Sequence, residues 1–252
     1  ESHPPAGNVT FETWAMPSDP FQIYFPLMSY AVPGKDNFWA FYLSVPGSED
    51  GLQLQVVTFQ DNTLVFDDVV SQDDPALETP TWVHIALTFN GATGEVKSYV
   101  NGEYVGGRVA TTGVGEGFPT AGVNVIGQEQ DALASGFDAL QSSDGLFDEY
   151  RFWPYLRTAA QIRENYLLGV ATTQHGGTEG PNLYLNFDND PASCPPGRRS
   201  SDACMTNLGT GSDVALLGGL PTLENVMDFY GTKKDPTTPL EYPSYAPVVS
   251  QE

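Results

Sequence analysis

The chain has 252 residues, with 10 Lys and Arg against 32 Asp and Glu, and a formal net charge of −22. This balance disfavours nucleic acid and anionic membranes as partners, because phosphate binding depends on clustered Lys and Arg, whereas cations suit a field of this sign. The length suits one or two domains, and the 40% share of hydrophobic residues is enough for a core. The sequence contains no apolar run of about 18 residues, so no membrane insertion is predicted.

Strand patterns dominate the chain. Short segments rich in β-branched and aromatic residues, bounded by Pro, Gly, Asp or Asn, predict strands. In chain order these segments are 8–16, 25–32, 37–45, 52–60, 63–70, 82–90, 94–107, 121–126, 145–155 and 180–188. Within the seventh, Asn101-Gly102 is typical of a two-residue type I′ hairpin turn.

A single helix is predicted from Thr158 to Leu168. Thr158 and Gln161 are spaced as a capping box, and Gly169 follows as a stop signal. Many short strands with one helix predict an all-β fold, a two-sheet antiparallel β-sandwich with one short flanking helix.

The C-terminal end differs from the rest in composition. From about residue 233 it carries four prolines and little apolar pattern, which is typical of an extended linker. We therefore predict a domain over residues 1–220 and a Pro-rich extension over 221–252. The start without Met or a signal peptide suggests a mature or excised part of a longer chain.

Two cysteines, Cys194 and Cys204, bracket a loop rich in Pro, Gly and Ser. We predict that a disulfide joins them, which across so short a loop would contribute about 3 kcal/mol if it acts by restricting the unfolded chain. The alternative is a pair of free thiols in a cytosolic protein; a zinc site is disfavoured because no His or further Cys stands nearby. A glycosylation sequon at Asn8 agrees with a secreted protein.

An acidic stretch follows the apolar run that ends at residue 126. Glu129, Asp131 and Asp138 come within ten residues of one another, with no Lys or Arg among them. Crowded carboxylates repel, so they need a counter-charge or water. A solvated acidic loop is the alternative to a cation site.

The segments "TWVHIALTFNGATGEVKSYVNGEYVGG" and "GLFDEYRFWPYLRTAAQIRENY" resemble the laminin G and concanavalin A-like jelly-roll superfamily. The resemblance runs from about Val9 to Gly219 and implies a jelly roll. Within that superfamily, "GQEQD" with "FDALQ", and "MSYAVPGKDNFWAFYL", resemble the pentraxins.

The pentraxin resemblance implies two Ca²⁺ ions. It assigns the first ion to Asp36, Asn37, Glu129, Asp131 and the carbonyl of Gln130, and the second to Glu129, Asp131, Asp138 and Gln141. This all-oxygen donor set suits calcium and disfavours zinc and copper. Tyr42 falls where pentraxins place an aromatic ring beside the headgroup of their ligand.

The sequence also departs from the pentraxin pattern. The places near Thr13 and Ala86 that match the conserved pentraxin disulfide hold no cysteine, so a pentameric ring is not implied. Asp138 stands where pentraxins usually carry Glu, and its shorter side chain predicts a weaker second ion.

We therefore expect a calcium-dependent, lectin-like or adhesion module of a larger extracellular or cell-surface protein. Its ligand would be a carbohydrate or an anionic group, or a neighbouring extracellular protein. The alternative is a structural unit of an extracellular fibre or matrix, in which calcium only rigidifies loops.

An enzyme is not expected. Some glycoside hydrolases of this fold use a Glu-x-Asp-x-Glu pattern, which "DGLFDEYRF", with Asp144, Asp148 and Glu149, does not provide. We interpret Asp148 and Glu149 as a structural acidic pair and His84 as a packing residue. The four tryptophans are expected in the core: Trp14, Trp39, Trp82 and Trp153.

Overall fold

We describe the fold from a computed structural model of the chain. The structure describes residues 7–18, 24–44, 52–58, 62–70, 82–110, 114–115, 122–133, 135–168 and 180–186. Only the backbone is described for residues 35–38, 41–44, 52–58, 62–70 and 139.

Within these ranges the strands and helices follow the predicted order. The strands are β1 (Val9–Pro17), β2 (Phe25–Val32), β3 (Lys35–Ser44), β4 (Leu52–Thr58), β5 (Asn62–Val70), β6 (Val83–Phe89), β7 (Glu95–Val100), β8 (Glu103–Val109), β9 (Val123–Ile126), β10 (Gly145–Trp153) and β11 (Leu183–Leu185). An α-helix, α1 (Ala159–Asn165), follows β10, and a 3-10 helix over Ala139–Gln141 precedes it.

The strands form two antiparallel sheets. The six-stranded sheet has the order β11-β10-β1-β6-β7-β8, and the five-stranded sheet the order β5-β4-β3-β2-β9. Neighbours such as β1 and β6, or β2 and β9, pair antiparallel throughout their registers. The predicted β-sandwich with one short flanking helix is confirmed.

The core lies between the two sheets, where alternate side chains of each strand meet. Trp39 of β3 and Phe89 of β6 join the sheets by an edge-to-face contact with ring centroids 4.5 Å apart. Phe11 of β1 packs against Tyr150 of β10 within the same cluster. All four tryptophans are buried, as predicted.

The hairpin between β7 and β8 turns at Asn101-Gly102. The φ angles are 49° at Asn101 and 80° at Gly102, as a type I′ turn requires. A Cβ at Gly102 would lie 2.6 Å from the ring of Tyr166, so glycine also allows the helix to approach the turn. The predicted hairpin is confirmed.

Helix α1 begins as predicted but ends early. The Thr158 hydroxyl accepts from the Gln161 N–H, and the Gln161 side chain accepts from the Thr158 N–H, which completes the capping box. The prediction that the helix reaches Leu168 is wrong. Side chains of the sheet take the last carbonyls: the Trp14 indole donates to Tyr166 O at 3.0 Å, and Arg151 donates to Leu168 O at 2.5 Å.

Beneath α1, the outer face of the six-stranded sheet holds a layer of buried charges. Glu12 of β1 pairs with Arg157 at 2.5 Å and with Arg151 at 3.5 Å, and Glu149 of β10 pairs with Arg151. His84 packs in the same layer, as predicted for a packing residue, and is 1% exposed. The layer connects β1, β6 and β10 to the segment that carries α1.

Several predictions concern residues outside the described ranges. Cys194, Cys204 and the boundary at residue 220 lie outside the described residues, as does Gly169. No helix in the described ranges is long and apolar enough to cross a membrane.

Candidate metal centre

The acidic loop, residues 127–143, leaves the end of β9 through a sharp turn. Gly127 has a φ of 72°, in the left-handed region that glycine adopts without strain. The two ends of the loop then meet: Gln128 bridges to Ser142, and the Glu129 N–H donates to Gln141 O at 3.1 Å. Backbone hydrogen bonds therefore close the loop at its base.

The second half of the loop is shaped by Asp138. Its carboxylate accepts from the Leu140 N–H at 2.9 Å and caps the 3-10 helix. The Gln128 side chain donates to Asp138 O at 2.8 Å and to Gln141 O at 3.0 Å. One glutamine from the start of the loop thus holds the backbone at both ends of the short helix.

The acidic loop has a buried part and an exposed part. Glu129 is 1% exposed and Gln130 is fully buried, whereas Asp131 and Asp138 are exposed to solvent and Gln141 is half-buried. A cation held by this loop would therefore have a buried carboxylate on one side and exposed carboxylates on the other.

The buried part of the loop lies against β2. Met28, Tyr30 and Val32 belong to the core, so Ser29 points to the opposite face of the sheet. Gln130 covers this face, because its side-chain amide donates to Ser29 O at 3.2 Å. The loop is therefore packed on the outer face of the five-stranded sheet.

Asp36 and Asn37 stand in a bulge of β3 beside the same part of β2. Tyr30 pairs with Trp39, and Val32 pairs with Lys35, so two steps along β2 correspond to four along β3. The additional residues of β3 fall opposite Ala31. Bulges of this kind change the direction of side chains and are frequent next to functional sites. The side chains of Asp36 and Asn37 are outside the description.

The donors of the acidic loop fit calcium in their chemistry. All the side chains predicted as ligands offer oxygen, and no Lys or Arg occurs between residues 109 and 150. In the described part of the chain, however, no three His, Cys, Asp or Glu side chains cluster as a metal site. The three loop carboxylates predicted for the second ion, Glu129, Asp131 and Asp138, are therefore not brought together as one cluster in this structure. The set predicted for the first ion also includes Asp36, whose side chain lies outside the described residues.

The structure also locates two further predicted site residues, Tyr42 and Asn8. Tyr42 pairs through its backbone with Pro26, whose carbonyl accepts from the Ser143 hydroxyl at 2.5 Å. The backbone of Tyr42 is thus beside the base of the acidic loop. Asn8 is exposed, and its side chain accepts from the Gly91 N–H at 3.2 Å.

The carboxylates considered for catalysis differ in their surroundings. Glu149 is 1% exposed, is paired with Arg151 and accepts from the Tyr184 hydroxyl at 3.0 Å. Asp148 accepts from the Glu149 N–H at 2.8 Å, while Asp144 is exposed. Glu149 therefore stabilises the fold, in line with the interpretation of a structural acidic pair.

Ser29 is the residue of this region that sequence reasoning missed. The available signal was a single hydroxyl within the apolar strand "FPLMSYAV". Such a serine is easily taken for a small core residue, because nothing local shows which loop will cover it.

Sequence similarity relates the chain to known proteins. A laminin G family profile, described as the concanavalin A-like lectin/glucanases superfamily, matches residues 1–163. The sushi, von Willebrand factor type A, EGF and pentraxin domain-containing protein 1 of Mus musculus is 30% identical over 89 residues, which cover 35% of this chain and 2% of that protein. The neuronal pentraxin receptor of Rattus norvegicus is 29% identical over 131 residues, which cover 52% of this chain and 25% of that protein. The chain thus spans a quarter or less of these two relatives.

A solved structure shows the same fold. The heptameric SAP-like pentraxin of Limulus polyphemus superposes with a TM-score of 0.58 at 21% identity, over 67% of this chain and 74% of that one. At this identity the likeness concerns the fold alone. Together with the sequence matches, it confirms the resemblance to laminin G domains and pentraxins.

Proposed function

Because the chain belongs to the concanavalin A-like lectin/glucanase superfamily, we propose that it is a calcium-dependent, lectin-type binding module of a larger extracellular or cell-surface protein. One observation carries the proposal: the acidic loop and the bulge of β3 at Asp36 and Asn37 meet the same stretch of β2, residues 29–31. Two distant parts of the sequence, both rich in oxygen donors, thereby become neighbours.

In this proposal the first Ca²⁺ is held by Asp36, Asn37, Glu129, Asp131 and the backbone carbonyl of Gln130. The second uses Glu129 and Asp131 as bridges, together with Asp138 and Gln141. Four carboxylates would balance the four positive charges of two ions. The kind of these donors agrees with the preference of calcium for oxygen, and carboxylates bound through both oxygens, together with water, would bring five groups at the first ion and four at the second to the 6–8 ligands that calcium takes.

The bound calcium would supply an exposed cation for a polar ligand. Asp131 and Asp138 lie at the surface of the loop, so the second ion would face solvent. The ligand class is therefore a carbohydrate with vicinal hydroxyls or a group with an anionic oxygen. Tyr42 would stand beside it, since its backbone lies at the base of the loop.

The extracellular setting is supported by residues away from this site. Asn8 is exposed at the start of β1, where a glycan could be attached, and Cys194 and Cys204 are spaced to form a disulfide. No catalytic role is proposed, because Glu149 is engaged in a buried ion pair.

The first experiment measures calcium-dependent stability. Saturating Ca²⁺ at 100 times its dissociation constant should raise the free energy of unfolding by about 2.7 kcal/mol, and a chelator should remove this gain. Glu129→Gln should abolish the calcium-dependent rise in Tm, while the exposed control Asp144→Asn should keep it. Identical melting curves with and without chelator would rule out the site.

The second experiment separates a binding module from a structural unit. Asp138→Asn removes one charge but can still cap the 3-10 helix through its amide oxygen. We expect this variant to lose ligand binding on a glycan array while keeping most of the calcium-dependent Tm. If it binds ligand as the wild type does, calcium serves only to rigidify loops, and the alternative of a fibre or matrix unit becomes the better one.

A further inference from the structure

A single hydroxyl holds the chain on both sides of Glu129. The Ser29 hydroxyl donates to Gln128 O at 2.8 Å and accepts from the Gln130 side-chain amide at 3.2 Å. Gln128 and Gln130 are the residues immediately before and after Glu129. The backbone of Glu129 is therefore fixed relative to β2 by one side chain of that strand.

The Gln130 amide extends this attachment to a second strand. Besides the hydroxyl, it donates to Ser29 O at 3.2 Å on β2 and to Val123 O at 3.0 Å on β9. Ser29 and Gln130 are both fully buried. A buried amide that lost these acceptors would leave its donors unsatisfied, so the contacts hold the loop in one position.

The position of Ser29 on β2 places this attachment close to the bulge of β3. Ser29 is two residues from Ala31, opposite which the bulge of β3 brings Asp36 and Asn37. Anchoring Gln130 at Ser29 thus sets the separation between the acidic loop and this bulge. Groups that orient metal ligands without touching the metal typically change its affinity 10–100-fold.

We propose that Ser29 and the side-chain amide of Gln130 are positioning residues of the calcium site. They hold Glu129 and the Gln130 carbonyl at a fixed place against β2 before calcium binds. This inference rests on the proposed function, because it assigns to these residues the preorganisation of the same site.

The test compares calcium affinity in Ser29→Ala, Gln130→Met and Ser29→Thr. The first two remove the anchoring contacts, and the third keeps the hydroxyl. In calorimetric titration, we expect Ser29→Ala and Gln130→Met to bind Ca²⁺ 10–100-fold more weakly than the wild type. Ser29→Thr should keep most of the affinity of the wild type. Ser98→Ala is the matched control, since Ser98 is an equally buried serine on β7 of the other sheet and should leave the affinity unchanged.

A second readout follows the loop itself. In the presence of chelator, the amides of residues 128–131 should exchange with deuterium faster in Ser29→Ala and Gln130→Met than in the wild type or Ser98→Ala. A merely structural role would lower the Tm of the calcium-free protein without this local change. Unchanged exchange at 128–131 would overturn the inference.

The outcomes separate this inference from the proposed function. If the wild type binds Ca²⁺ and both anchoring variants bind it equally well, the positioning role is wrong and the calcium site stands. If the wild type binds no Ca²⁺ in the same titration, both the site and its positioning residues are overturned.

Discussion

Glu12 is one of two buried anions in the layer beneath α1, and it lies between Arg151 and Arg157. Burial opposes its ionisation, but His84, Arg157 and Arg151 outweigh this effect and hold the pKa of Glu12 at about 2. The carboxylate consequently stays charged at neutral pH, between two guanidinium groups. Its contribution to stability is present above the ordinary pKa of about 4.5 and is lost as the pH falls towards 2.

Removing the charge of Glu12 should therefore be costly. Glu12→Gln leaves Arg151 and Arg157 buried with less compensation, and we expect a loss of about 3–5 kcal/mol in the free energy of unfolding. Chemical denaturation of both proteins at pH 7 would measure this loss in the free energy of unfolding. The control is Glu95→Gln, which removes an exposed ion pair with Lys97 and should cost less than about 1 kcal/mol. Equal losses in the two variants would contradict a structural role of the buried layer.

Helix α1 is held in place by polar and apolar contacts with the sheet and with the segment that precedes it. Arg157 donates to Asn165 Oδ1 at 2.7 Å, and Trp14 donates to Tyr166 O at 3.0 Å. Ile162 supplies a buried apolar contact, packed with Ala86 and Tyr99. A helix of seven residues has little stability of its own, so these contacts keep it folded.

We expect His84, which packs beneath α1, to make the stability of the protein depend on pH. Burial lowers the pKa of His84, and Glu12 offsets this only in part. The groups that face the ring also include Arg151 and Arg157, with Trp14 and Tyr166 packed on it at centroid distances of 5.5 and 5.6 Å. With His84 neutral, the two carboxylates and two guanidinium groups balance. Protonation adds an uncompensated buried charge.

The pH dependence of stability should show this effect. Between the lowered folded pKa of His84 and its unfolded value of about 6.5, the unfolded state binds more protons, so stability falls as the pH falls. In this range the free energy of unfolding changes by up to about 1.4 kcal/mol per pH unit. The stabilising contribution of neutral His84 is complete above about pH 6.5. His84→Gln should flatten the profile of unfolding free energy between pH 7 and 5. A profile identical to that of the wild type would exclude His84 as its source.

For the molecule as a whole, the predicted boundary at residue 220 remains a prediction. From about residue 233 the sequence carries four prolines and little apolar pattern, so we expect this extension not to contribute to the core of the domain. A chain ending at Leu220 should thus keep the Tm of the full chain and its response to Ca²⁺ in differential scanning calorimetry. A fall of more than about 4 °C, the shift that 1 kcal/mol gives in a domain of this size, would place residues 221–252 within the folded domain.

The net charge of −22 also acts on the whole molecule. Like charges destabilise a compact chain, and salt screens their repulsion. Calcium bound at the acidic loop would remove part of this repulsion in addition to its local contacts. Experiments on calcium-dependent stability therefore need a constant ionic strength.

The sequence by itself determined the features that depend on neighbours along the chain. Alternating strand patterns, the Asn101-Gly102 turn and the Thr158 capping box are local, because their physical causes lie within a few residues. These local signals were sufficient for the two-sheet sandwich and for the position of its helix. The oxygen donors of the acidic loop were equally visible, since residue type alone fixes their chemistry.

The tertiary structure alone decided what depends on contacts between distant segments. Ser29 became an anchor because the acidic loop, about 100 residues later, folds onto it. Glu12 became a buried anion because Arg157, in the segment that follows β10, reaches it. Just beyond the end of α1, Trp14 and Arg151 donate to the carbonyls of Tyr166 and Leu168. Local sequence patterns could not predict these pairings, because the spacing of residues along the chain does not determine which buried polar groups come into contact.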